Sequence, residues 1–197
     1  MEPTTPEIAG YDFASPSIAR SPVGMAELTL LERAASLTDE DDRWLRSAAA
    51  ILQDRTGEIV SAWREVIAAN PHLARFYGSK DGVIDPDYKA RVAERFKQWI
   101  RDVCLRPRNE VWLDYQHEIG LRHTFPRKNV VDDAIALPHI PLRYLIAFTA
   151  TINDRMWPFL LDAAPRPEAE AMYRAWCKAT ILAVALWSRP YVAESVW

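Results

Sequence analysis

Apolar side chains recur at helical spacing along most of the chain. Over residues 44–52, 59–67 and 88–103 they fall three and four positions apart, which places them on one face of a helix. No segment alternates between apolar and polar residues for long enough to form a sheet strand. The pattern predicts an all-α fold of about eight helices.

Helix starts are marked by capping residues. Thr38 opens the run TDED, a capping box in which Asp41 takes the place of the usual glutamate. Asn-Pro at 70–71 and Asp-Pro at 85–86 each put a cap before a proline in the first helical turn. A further helix is predicted over 109–124, so helices fill most of the chain.

Two parts of the chain differ in composition. Four prolines fall within the first 23 residues, which predicts an irregular N-terminal extension over 1–23 and one domain over 24–197. The N-terminus lacks the apolar run of a signal peptide, and the longest apolar stretch, at 181–187, is too short to cross a bilayer. We therefore expect a cytoplasmic protein with no membrane partner.

Composition narrows the function classes. Hydrophobic residues make up 49% of the chain, far too many for a disordered protein, and the net charge of −3 argues against a nucleic-acid partner. Cys104 and Cys177 lie far apart in sequence and predict two reduced thiols rather than a disulfide framework or a metal motif. Eight Trp, seven Tyr and six Phe are many aromatic residues for a chain of this length. They suggest large side chains packed around a bound group.

One histidine has a suggestive context. His123 closes the run WLDYQHEIGLRH and shares a helical stripe with Trp112, Gln116 and Ile119. A lone histidine on an apolar face is most simply a core residue, and the aromatic residues of other helices are most simply core packing. The alternative is that an all-α, aromatic-rich core with one inward imidazole holds a haem.

Several further sequence segments favour a haem ligand over an ordinary core histidine. WLDYQHEIGLRH at 112–123 resembles the proximal-helix signature of the protoglobins, single-domain haem proteins related to globin-coupled sensors. GYDF at 10–13, RFKQWI at 95–100, PHIPLRYLIAF at 138–148 and ALWSRPYV at 185–192 resemble the same family. The resemblance extends from about residue 10 to the C-terminus.

The resemblance implies a fold, a cofactor and a site. The fold would be a globin-like three-over-three helical sandwich with an extra N-terminal helix and extension. The cofactor would be haem b (iron protoporphyrin IX), with His123 as the proximal iron ligand and Arg95 beside a haem propionate. The aromatic residues that would line the distal face or its access tunnels are Trp63, Phe96 and Phe148.

Two positions depart from the family pattern. Arg64 stands where a tyrosine usually follows the distal tryptophan, so that either a guanidinium enters the pocket or the side chain turns outward or toward a propionate. His117 takes the place of a tyrosine on the proximal helix. It lies six residues before His123, so it faces away and is not expected to bind iron.

The function implied is the binding of diatomic gases (O2, CO or NO) at a buried pentacoordinate iron held by His123. The alternative is a haem enzyme: a nitric oxide dioxygenase, a peroxidase-like enzyme or an engineered carbene-transfer catalyst. A haem-free helical interaction module is a third possibility. The resemblance also implies a homodimer through the last two helices, and a sensor or redox role would need a separate signalling or reductase partner.

Overall fold

The computed structural model describes residues 8–197, so the predictions for residues 1–7, the start of the expected extension, lie outside it. Within the described part the chain is helical, with no strand and one isolated β-bridge, which confirms the all-α prediction. Short 3-10 turns at Arg75–Tyr77, Arg189–Tyr191 and Glu194–Val196 supplement the helices. The α-helices are α1 Met25–Ala34, α2 Asp39–Leu52, α3 Thr56–Ala69, α4 Pro71–Ala74, α5 Pro86–Leu105, α6 Glu110–Leu121, α7 Leu142–Ala163 and α8 Arg166–Trp187.

Most of the predicted caps are present. The Thr38 and Asp41 side chains form the reciprocal capping box at the start of α2, and the Asp85 carboxylate accepts from the backbone N–H of Tyr88 at 2.9 Å. Asn70 is the N-cap residue of α4 and Pro71 its first residue, as predicted, but the Asn70 side chain makes no capping bond. Its amide instead donates to the carbonyl of Val66 in α3 at 2.7 Å.

Helix α6 is shorter than the spacing predicts. It ends at Leu121, and the backbone N–H groups of His123 and Thr124 bond three residues back, to Gly120 and Leu121. This tighter turn satisfies carbonyls that the end of an α-helix leaves free. His123 therefore lies in the turn that follows the helix, rather than in the helix itself.

Helix α8 occupies the centre of the fold, where it packs against α7, α2 and α6. Trp176 of α8 is 0% exposed, and its ring meets the ring of Trp99 edge-on at 5.7 Å. Trp99 also meets Trp63 edge-on, at 6.1 Å. Edge-to-face contacts of this kind add to the stability gained from burying the rings. Part of the aromatic excess is thus core packing.

Helices α6 and α8 approach closely at Gly120. A Cβ atom at this position would lie 3.1 Å from both the Cα and the carbonyl oxygen of Trp187, so a larger residue would force the helices apart. The Trp187 indole N–H donates to Gln116 at 2.9 Å, which links the same two helices. The close approach brings Trp187 beside the turn that holds His123.

A charged contact ties α2 to α8. Lys178 donates to both carboxylate oxygens of Asp41 at 2.9 Å. Burial alone would raise the pKa of Asp41, but hydrogen bonds from Lys178 and Thr38 outweigh that effect and lower the pKa below its usual value. One carboxylate therefore caps α2 and joins it to the central helix.

We expect Asp41→Ala to lower the free energy of unfolding by about 1–3 kcal/mol, because it removes a capping box and leaves Lys178 without its acceptor. Urea denaturation followed by circular dichroism measures the change. Asp39→Ala is the matched control, because Asp39 lies in the same exposed first turn and accepts no side-chain bond. Equal losses in the two variants would contradict the role given to Asp41.

Candidate functional site

A large cavity opens between α5, the turn after α6 and the start of α7. Its volume is about 190 Å³. Its walls are mostly apolar, and the aromatic side chains among them are Phe76, Tyr88, Phe96, Trp99, Phe148 and Trp187.

His123 is the one histidine among the residues that line this cavity. Its Nδ1 lies 2.7 Å from the carbonyl oxygen of Ile119, and because a carbonyl only accepts, Nδ1 carries the proton. Burial lowers the pKa of His123 to about 4, so the ring is neutral at pH 7. The lone pair of a neutral imidazole then lies on Nε2, which is the form that binds a metal.

The surroundings of His123 hold the ring and its backbone in place. Trp187 stacks on the ring, with 5.8 Å between centroids and 24° between planes. The His123 carbonyl accepts from the backbone N–H of Ile140 at 2.9 Å and faces the Tyr191 hydroxyl at 3.2 Å. An imidazole held in this way on the wall of a mostly apolar cavity fits a haem, which supplies the other four nitrogen ligands of its iron.

Arg95 lines the cavity and is already paired through Nη1 and Nη2, while its Nε–H has no partner among the described residues. Its guanidinium makes two parallel contacts with Asp132, at 2.6 and 3.1 Å, and donates to the carbonyl of Ala9 at 2.8 Å. Arg91 donates to the same carboxylate at 2.8 Å. Burial raises the pKa of Asp132, but the two guanidinium groups more than offset this and lower it below the usual value. Asp132 thus stays ionised on the cavity wall.

The N-terminal segment covers part of the cavity. Tyr11 lines it, and Arg122 donates to the carbonyl of Gly10 and to Asp12, the latter at 2.6 Å. Gly10 has φ of +73°, and a Cβ there would lie 2.5 Å from the Arg95 guanidinium. Only glycine combines this backbone conformation with such a close contact.

The cavity brings together four of the six predicted site residues: His123, Arg95, Phe96 and Phe148. Trp63 is not on the wall. It is 1% exposed and meets the ring of Phe96 edge-on at 5.9 Å, so it supports the wall from behind.

Arg64 is also absent from the cavity lining. It is partly buried and forms no ion pair within the described residues. The positive charge of Arg64 acts on Tyr77. Burial raises the pKa of that tyrosine to about 12, and the charge of Arg64 opposes the rise. Arg64 therefore lies close to Tyr77, which lines the cavity, without lining it itself.

The remaining histidines and both cysteines lie elsewhere. His72 is exposed against Tyr144, while His117 and His139 line a separate surface pocket. Cys104 is buried, Cys177 is partly buried, and both are free thiols, as predicted.

Several cavity residues were not predicted as site residues. They are polar side chains from distant parts of the chain: Tyr11, Tyr77, Tyr88, Tyr115, Arg122, Lys128 and Asp132. A charged residue in a polar loop looks solvated in sequence, and only the closure of residues 122–141 over α5 buries Lys128 and Asp132. The sequence evidence nearest to these residues is the apolar face predicted over 88–103, which contains Tyr88 and Phe96.

Comparison with known proteins agrees with this site. The sequence model of the protoglobin family matches residues 24–197. No match was found among curated proteins. In the described residues no helix is both long and apolar enough to span a membrane. The family match covers all the described helices and includes His123, so the chain belongs to the protoglobin family and is a haem-binding globin.

Proposed function

We propose that the cavity holds haem b with its iron on Nε2 of His123, and that the loaded protein binds O2, CO or NO. The observation that carries the proposal is the 2.7 Å contact from Nδ1 of His123 to the Ile119 carbonyl. It makes Nε2 the lone-pair nitrogen of a ring on the cavity wall. When bound, the haem supplies an iron that takes up the gas.

The chain's own residues would bind, orient and shield the cofactor. Arg95 is suited to a propionate, because a guanidinium pairs with a carboxylate through two parallel hydrogen bonds. Phe96 and Phe148 supply apolar walls that keep water from the gas, and Trp63 supports Phe96. Trp187 restricts rotation of the His123 ring through stacking.

We also propose a cytoplasmic homodimer that associates through α7 and α8. Large apolar side chains on these helices face solvent, with Ile146 and Ile181 exposed by 56% and 52%. Burying such side chains against a second copy would remove them from water. A separate reductase or signalling partner would act on the loaded protein.

Removing the imidazole tests the iron ligand. We expect His123→Gly to lose the axial bond, so that the Soret band of the haem-loaded protein shifts or disappears, and added imidazole restores it. His117→Gly is the matched control, since His117 lies outside the cavity. A His123→Gly spectrum identical to that of the unmodified protein would refute the assignment.

The position of Arg64 predicts that it does not hold the gas. We expect Arg64→Leu to leave the O2 and CO dissociation rates within about twofold, because no hydrogen bond to the ligand is lost. Phe148→Ala should change these rates, since it opens the cavity wall. Stopped-flow replacement of bound O2 by CO measures them, and dissociation at least tenfold faster in Arg64→Leu would place the guanidinium at the ligand.

A measurement of catalytic turnover distinguishes a gas-binding protein from a haem enzyme. Reversible O2 binding with slow autoxidation supports the proposal. Rapid consumption of nitric oxide or peroxide over many cycles would favour the enzyme instead.

A further inference from the structure

Lys128 is a buried lysine on the cavity wall without an anionic partner. The residue is 4% exposed and lines the cavity, and its amine donates to the carbonyl of Phe76 at 2.9 Å and to Asn129 at 3.4 Å. Among the described residues no carboxylate forms an ion pair with it. A buried ammonium group is costly unless it is paired, so this arrangement is incomplete in the protein alone.

The charges around Lys128 are unbalanced. Arg91 and Arg95 both bond to Asp132, and Lys128 is attracted to the same carboxylate from further away. Arg91 is also attracted by Asp85 and Asp87 and does not line the cavity. Two cations, Arg95 and Lys128, therefore face this end of the cavity with Asp132 as the one carboxylate on its lining.

The other cations that line the cavity have ion-pair partners. Arg122 pairs with Asp12 at 2.6 Å and with Glu118 at 2.8 Å, and Arg95 pairs with Asp132. Among the described residues of the lining, Lys128 is therefore the cation that lacks an ion pair.

The other groups that face Lys128 also suit an anion. Its amine lies 5.2 Å from the centre of the Tyr88 ring, and the Tyr88 ring lies 5.9 Å from that of Tyr77. The Tyr88 hydroxyl has no hydrogen-bond partner among the described residues, and burial raises its pKa, so it stays a neutral donor. Burial likewise lowers the pKa of Lys128 to about 8, although Asp132 opposes the shift.

We propose that Lys128 binds one of the two carboxylates of the porphyrin while Arg95 binds the other, so that the cavity selects a dianionic porphyrin. The two propionates would pair with the two cations that line this end of the cavity, Arg95 and Lys128. This inference rests on the proposed function, because it assigns residues to the haem side chains. It adds a positioning residue that neither the local sequence nor the axial ligand reveals.

Porphyrin esters test the two-anchor arrangement in the unmodified protein. Haemin, its two monomethyl esters and its dimethyl ester are each loaded, and the rate of porphyrin transfer to an excess of a haem-free globin is measured. We expect both monoesters to leave about 10- to 100-fold faster than haemin, because each loses one charge-assisted contact, and the diester to leave faster still. A monoester that leaves as slowly as haemin would overturn the proposal.

Lys128→Met then identifies the residue. We expect haemin to leave this variant about 10- to 100-fold faster, whereas one monoester and the diester leave at the rates of the unmodified protein, since the contact they would lose is already missing. Lys80→Met is the matched control, because Lys80 is exposed and its side chain makes no bond within the described residues.

Two results for Lys128→Met would overturn the proposal. One is haemin release at the unmodified rate. The other is an equal acceleration for haemin and the diester, which would mean that Lys128 only supports the fold. Failure of the unmodified protein to bind any of the four porphyrins would instead refute the proposed function.

Discussion

The hydrogen bond between His123 and the Ile119 carbonyl determines what the cavity can do. It assigns the proton to Nδ1, and burial keeps the ring neutral, so Nε2 is left as the one lone-pair nitrogen of the ring. His123 lies in the tightened turn that follows α6, and its ring reaches back to the carbonyl of residue 119. Gly120 allows α8 to come close enough for Trp187 to stack on that ring.

A second constraint is the burial of charge. Arg95, Arg122 and Asp132 are all largely removed from water, and the cost of their desolvation is offset by bidentate pairs and by backbone carbonyls. Two of those carbonyls, at Ala9 and Gly10, belong to the N-terminal segment. The charged residues that border the cavity therefore also hold the N-terminal segment over it. Lys128 is the exception, and its missing partner is what points to a second carboxylate of the ligand.

Local structure was largely predictable because helix starts are decided by neighbouring residues. The capping box at Thr38 and the cap at Asp85 depend on side chains within three positions of the backbone groups they satisfy. Two local details differ from the prediction. The Asn70 amide bonds back to Val66 instead of capping α4, and α6 ends before His123. Of the predicted aromatic wall, Phe96 and Phe148 line the cavity, while Trp63 lies behind Phe96 because edge contacts with Phe96 and Trp99 bury it in the core.

The sequence by itself determined the helical class, most helix boundaries, the single candidate axial histidine and the family. Hydrophobic spacing, helix caps and ordered motifs are local properties of a chain, so they can be recognised from the sequence alone. Only the tertiary structure decided the tautomer of His123, the position of Arg64 outside the cavity lining and the cationic end formed by Arg95 and Lys128. These depend on which groups from remote segments are buried together, and burial sets both the cost of a charge and the partner it requires.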